Sequence, residues 1–157
     1  MLLFRLLPGC ESYCGTDITE AGLAHIQNQL KTRKSAASIR LLKRPAHIFE
    51  PEDINAYDTV IINSVMQYFP SMNYLITVLE KAIASTTPGG RIFIGDIRSF
   101  THLHAFSAVV QLLKATKKTT FNRWQVNIKK QMAQEEELVV SPDFSVCLLI
   151  LIHALAT

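Results

Sequence analysis

The stretch YDTVIINSVMQYFP, Tyr57–Pro70, decides the fold. Within it Asp58–Asn63 is a nearly unbroken β-branched run. That is the composition of a central parallel strand buried on both faces, where branched side chains pack on the pleat and no polar alternation shows. Downstream, Ser71 stands where a helix cap is needed, and Leu75, Val78, Leu79, Ala82 and Ile83 recur at a spacing that gathers them on one helical face. Thr87-Pro88-Gly89-Gly90 ends that helix, and Arg91–Gly95 (RIFIG) reads as the next strand. Upstream, Glu11–Asp17 reads as a short strand, and Thr19 can cap a helix with Leu23, Ile26 and Leu30 on its apolar face. Lys31, Arg33 and Lys34 follow at that helix's C-terminal end, where the dipole favours cations. Ile39–Leu42 is a further short strand, and Pro45–Asp53 an irregular connection with two prolines. Strands alternating with helices at this spacing build βαβ units, which predicts an α/β protein with an open, doubly wound, mostly parallel sheet.

The remaining segments are less regular. Met1–Leu7 has the character of a helix tail stopped by Pro8 and Gly9. After Ser99 a Leu- and Val-rich helix is expected to reach about Ala115, and a basic segment from Lys117 to Lys130 leads into Glu135-Glu136-Glu137. The expected organisation is a partial domain over 1–143, followed by an apolar tail over 144–157 that reads as abnormal or truncated. That tail is shorter than the roughly 20 apolar residues a membrane-spanning helix needs, so no membrane partner is expected.

Bulk properties exclude several classes. The chain has 157 residues, 48% of them hydrophobic and 18% charged, with a net charge of +3, so burial rather than charge organises it and one domain accounts for its length. No nucleic-acid partner is implied, because such binding needs a concentrated basic patch. Cys10, Cys14 and Cys147 form neither a disulfide framework nor a zinc pattern; His102 and His104 fall on different faces of a helix, so no metal site is expected. A reducing cytoplasm is the simplest compartment. No Ser-His-Asp, GxxxxGK or HExxH signature occurs, which argues against hydrolase and nucleotidase readings.

Chemistry in an open α/β sheet sits beyond the carboxyl ends of its strands, where loops and helix N-termini offer free backbone N–H groups. The residues placed there are Asp17, the stretch around Ala46 and His47, Asn63-Ser64-Val65, and Asp96 with Arg98. Asp17 closes a strand just before a helix, the position from which a carboxylate accepts hydrogen bonds from the ribose of a nucleotide cofactor; a solvated acid near a helix start is the plainer alternative. Tyr68 and Phe69 are equally readable as core aromatics. The run Lys114–Lys130, interleaved with Phe121 and Trp124, reads first as a solvated helix face, with contact to an acidic partner as the alternative.

The stretch Tyr57–Pro70, together with ESYCGTDIT (Glu11–Thr19), TPGGRIFIGDIRS (Thr87–Ser99) and EEELVVSPDF (Glu135–Phe144), resembles class I S-adenosylmethionine-dependent methyltransferases of the type 12-like group. More narrowly it resembles the methyltransferase domains embedded in nonribosomal peptide synthetases. The resemblance implies a three-layer Rossmann-like open sheet, incomplete here at both ends. It also implies S-adenosyl-L-methionine as cofactor and N-methylation of a carrier-bound aminoacyl group, with other synthetase domains as partners. By the same resemblance Asp17, Ile18, His47, Asn63, Ser64 and Val65 match cofactor-binding positions, Gln67 and Arg98 match positions facing the substrate, and Tyr68 and Asp96 match catalytic ones. The pattern departs in two places. The sequence as given begins after the family's glycine-rich loop, so cofactor binding by this stretch alone is expected to be weak, and His47 stands where an acidic residue is common. Two other readings stay open: a non-catalytic remnant or interaction module without cofactor, and a nicotinamide-dependent dehydrogenase fragment.

Overall fold

Two βαβ units form, one in each part of the chain. The computed structural model describes residues 2–33 and 37–144. Lys34, Cys147, His153 and the apolar tail beyond Phe144 lie outside them. The chain divides at Pro51 into two units, each described in its own frame.

In the first unit a short helix α1 (Leu3–Leu6) runs into a 3-10 turn at Leu7–Gly9, as the Pro-Gly stop requires, and is followed by β1 (Ser12–Asp17), α2 (Glu20–Lys31) and β2 (Ser38–Lys43). β1 and β2 pair in parallel from Ser12 opposite Ser38 to Asp17 opposite Lys43. Thr19 caps α2 as its sequence position demands, its Oγ1 accepting from the Gly22 N–H at 3.3 Å. Leu3, Leu7 and Leu23 are buried, and the Arg33 guanidinium lies 4.4 Å from the centre of the Phe4 ring, so the end of α2 is tied to α1. Burial in β1 pushes the Tyr13 phenol above its ordinary range, with Cys10 and Cys14 adding to the effect, so Tyr13 stays neutral.

The second unit contains β3 (Tyr57–Asn63), α3 (Met72–Ser85), β4 (Thr86–Gly95), α4 (Leu103–Leu113) and α5 (Phe121–Ala133). Ser71 caps α3, accepting from the Tyr74 N–H at 3.2 Å. Leu75, Val78, Leu79 and Ala82, one stripe at helical spacing, are at most 3% exposed and form the heart of this unit's core. The loop before β3 closes the far end of α3, because the Asn55 and Ala56 N–H groups donate to the carbonyls of Ala84 and Ser85.

Two expectations need correction here. β4 begins at Thr86 and not at Arg91: Tyr57 pairs with Thr86 and Thr59 with Arg91, so Thr87–Gly90 bulges out of a continuous strand. Thr86 closes the helix through its Oγ1, 2.7 Å from the Ala82 carbonyl, and Gly89 at φ 78° lets the backbone turn inside the bulge. Likewise β3 is not buried on both faces. Among the described residues it pairs with β4 alone, only Ile62 is fully buried, and Thr59 is exposed. A β-branched run signals a strand, but not how many neighbours cover it.

After β4 the chain makes α4 and α5 and then returns to the strand ends. Ser99 and Val140 form a parallel bridge, the Phe100 N–H donates to the Val140 carbonyl at 2.9 Å, and the Val140 N–H donates to the Arg98 carbonyl at 2.8 Å. The Leu138 N–H donates to the Gln67 carbonyl at 2.7 Å, which fixes the same segment to the 3-10 turn Met66–Tyr68 after β3. Arg98 completes the clasp: Nη2 lies 2.8 Å from Glu135 Oε2 and Nη1 2.9 Å from Glu137 Oε2, and its guanidinium stands 4.6 Å from the centre of the Phe106 ring on α4.

Replacing Leu75 by Ala is expected to lower unfolding free energy by about 2–5 kcal/mol, because a side chain with no exposure leaves a cavity that the stripe cannot close. Urea titration checks this; a loss well under 1 kcal/mol would mean that α3 does not carry the core. For the clasp, Arg98→Ala is expected to cut hydrogen-exchange protection at the Leu138 and Val140 amides while leaving α3 amides unchanged. Equal protection in the two proteins would show that backbone bonds hold the segment without Arg98.

Candidate functional site

Parallel strands end on the same edge, and the candidate residues cluster at two such edges. In the first unit Asp17 is half-buried at the end of β1, and its Oδ1 accepts from the Thr19 N–H at 2.7 Å and from Thr19 Oγ1 at 2.8 Å. That geometry fixes the carboxylate beside the first turn of α2. Among the described residues no hydrogen bond engages Asp17 Oδ2, which leaves one oriented acceptor. Ile18 beside it is 67% exposed, an apolar surface next to a fixed carboxylate. His47 is half-buried, four residues beyond the end of β2, and sits in the connection that the two prolines made irregular.

In the second unit Asn63 stands opposite Gly95 in the β3–β4 register, so Ser64 and Asp96 are the first residues past two adjacent strands. Both have left-handed backbones, φ 58° at Ser64 and 61° at Asp96. Neither is a glycine, and a residue held there costs on the order of 1 kcal/mol or more, a cost met most often where a ligand site needs a particular backbone direction. The Ser64 N–H donates to the Gly95 carbonyl at 3.3 Å and Asn63 Nδ2 to Ser64 Oγ at 2.8 Å, which locks the paired turns together. A Cβ at Gly95 would meet the Asn63 side chain and the Phe93 ring, so glycine there leaves room for the Asn63 amide in its observed position.

Val65 continues from this edge and is 42% exposed, Tyr68 is 70% exposed, and Gln67 between them is buried, its side-chain Oε1 without a hydrogen-bond partner among the described residues. A buried amide oxygen left unpaired is unfavourable by about 1–3 kcal/mol. Within this unit the fold therefore brings Asn63, Ser64, Val65 and Asp96 to one edge. It joins Gln67 to Arg98 through the returning segment Glu135–Val140. Asp17, Ile18 and His47 belong to the edge of the first unit.

Sequence reasoning did not assign the partners of Arg98. Both arms of its guanidinium are engaged by Glu135 and Glu137, and a third contact is the Phe106 ring, so Arg98 organises the strand ends with its charge already neutralised. Glu135 is 15% exposed and its other oxygen accepts from the Glu137 N–H at 3.2 Å. The available signal was charge order: no acidic residue lies between Asp96 and Glu135, so an inward arginine at position 98 had its first downstream acids there. Among the described residues no group of three or more His, Cys, Asp and Glu could hold a metal ion. No helix of the described residues is long and apolar enough to cross a membrane.

Comparison with known proteins places this architecture. Residues 1–92 match the family model described as a methyltransferase domain. The chain is 33% identical over 144 residues to chondramide synthase of Chondromyces crocatus, an alignment covering 92% of this chain and 4% of that protein. It is also 33% identical over 151 residues to enniatin synthase of Fusarium equiseti, covering 92% of this chain and 5% of that one. The chain thus spans about one-twentieth or less of the length of the relatives it matches. Among solved structures it superposes on N-methyltransferase NodS from Bradyrhizobium japonicum WM9 in complex with S-adenosyl-L-homocysteine, with a TM-score of 0.54 and 18% identity, covering 62% of this chain and 47% of that one. A protein of Pyrococcus horikoshii OT3 gives a TM-score of 0.57 at 18% identity, over 74% of this chain and 50% of the other. The shared strand and helix order and the extent of the matched sequence lead to one assignment: the chain belongs to the methyltransferase domain family.

Proposed function

We propose that this chain takes part in S-adenosylmethionine-dependent methylation of the amino nitrogen of an aminoacyl group tethered to a carrier domain, in the setting of a multidomain synthetase. The observation that carries the reading is the pair of left-handed residues, Ser64 and Asp96, closing two adjacent parallel strands in a chain of this family. The residues present fit such a cofactor. Asp17 holds one carboxylate oxygen on Thr19 and keeps the other for ribose hydroxyls, with Ile18 offering apolar surface beside it. In the same unit His47 would offer a ring nitrogen to the adenine amino group, and in the second unit, taken by itself, Asn63, Ser64 and Val65 would offer groups at one strand edge to the methionine part of the cofactor.

When bound, the cofactor would supply an electrophilic methyl group on a sulfonium, to be attacked in line by the amine nitrogen as the sulfur–carbon bond breaks and the neutral thioether leaves. The protein's share is to orient the amine, keep it neutral and exclude water. Gln67 offers its buried side-chain oxygen to the substrate, Arg98 positions the segment facing it, and Tyr68 and Asp96 orient the amine and take up its proton. The names of the relatives, synthases of chondramide and enniatin, support the synthetase setting.

Isothermal titration with S-adenosyl-L-homocysteine is expected to give weak but saturable binding. Asp17→Ala should weaken it roughly tenfold or more, the effect of removing charged hydrogen bonds worth about 1.5–3 kcal/mol. Absence of saturable heat would favour a non-catalytic module, and a preference for NADH in the same cell would favour a dehydrogenase. Either result would remove the reading.

A further inference from the structure

From Ile97 to Gln134 the chain carries seven Lys and Arg and no Asp or Glu, against sixteen basic and thirteen acidic residues in the whole chain. The modest net charge of +3 therefore conceals a strongly cationic helix pair attached to an otherwise acidic protein. Between α4 and α5 lies an open groove of about 620 Å³, within the size range of small-molecule sites. Arg98, Glu135 and Phe106 also line it, so the groove includes the clasp that follows β4.

The lining is chemically specific. Lys114 and Lys130 stand on it, and among the described residues no ion pair engages either one. The other polar groups are almost all carboxamides: Gln111, Asn127, Gln131 and Gln134. Gln111 Nε2 donates to Gln131 Oε1 at 2.6 Å across the two helices. That bond leaves Gln111 with a carbonyl oxygen and Gln131 with an amide N–H₂, an acceptor and a donor that match the two ends of a peptide-like amide. Cations set beside paired amides suit a ligand that is anionic at one point and amide-bearing along its length; a nucleic acid would present phosphates repeatedly and call for more cations than amides.

We propose that this groove binds a phosphorylated, amide-containing arm, with Lys114 and Lys130 on the phosphate and the Gln111–Gln131 pair on an amide, and that the arm's acyl terminus passes the Arg98 clasp toward the ends of β3 and β4. The proposal rests on the carrier-tethered substrate of the preceding section and names where such an arm lies on this chain. It concerns binding alone and adds no chemical step.

Titration of the full chain with 4′-phosphopantetheine, followed by calorimetry, tests it. Pantetheine without the phosphate, and the double variant Lys114→Ala/Lys130→Ala with the phosphorylated probe, are each expected to bind on the order of tenfold more weakly. Lys117→Ala/Lys118→Ala, in the exposed connection between the helices, should keep the original affinity, and circular dichroism verifies that both variants fold. No binding of phosphopantetheine, equal binding of pantetheine, inorganic phosphate binding as tightly as the whole arm, or an equal loss in the Lys117/Lys118 variant would each overturn the assignment. S-adenosyl-L-homocysteine titrated into the same samples separates the two readings. If it binds while phosphopantetheine does not, the groove assignment falls and methyl transfer stands; the reverse result removes methyl transfer and keeps an arm-binding groove.

Discussion

Parallel pairing is the constraint on which the rest depends. Two strands that run the same way end on the same edge, and the chain between them must cross back as a helix. α2 crosses between β1 and β2, and α3 between β3 and β4. The residues following the strands are thereby brought to common places without any contact of their own: Asp17 beside Lys43, and Asn63 beside Gly95. At the second of these edges the left-handed backbones of Ser64 and Asp96 turn both chains sharply, and glycine at 95 leaves room for the Asn63 amide. Strain there is sustained because the ladder below and the α3 core hold both strands in place.

The clasp at Arg98 adds a second level of order. A half-buried guanidinium with two carboxylates and an aromatic ring has little freedom left, and its charge is neutralised by Glu135 and Glu137 before any ligand arrives. Its role is therefore to position. It fixes the return segment against the end of β4, while the Leu138 amide fixes the same segment against the turn that carries Gln67. The Gln67 side-chain oxygen, without a hydrogen-bond partner among the described residues, is carried on a backbone that the Leu138 bond ties to the returning segment.

Much of this was legible in the sequence because it is local. The caps at Thr19 and Ser71, the stripe from Leu75 to Ala82 and the β-branched run of β3 each follow from the chemistry of a few neighbouring residues, and each forms where expected. The strand ends followed from the same logic, which is why Asp17, Asn63 and Asp96 could be singled out. What was not legible depends on tertiary partners. The bulge at Thr87–Gly90 looked like a plain turn because Pro-Gly-Gly punctuates both. The exposure of β3 could not be read from its own composition. The Arg98 clasp joins residues 37 positions apart, a pairing that no local pattern announces.

On the proposed reading the strand-end edges, and not the helix surfaces, recognise the cofactor. Backbone amide shifts of the full chain on titration with S-adenosyl-L-homocysteine test it most directly. The largest changes are expected at Ile18, Ser64, Val65 and Asp96, with α4 and α5 nearly still; changes concentrated on the two helices, or none at the strand ends, would contradict that reading.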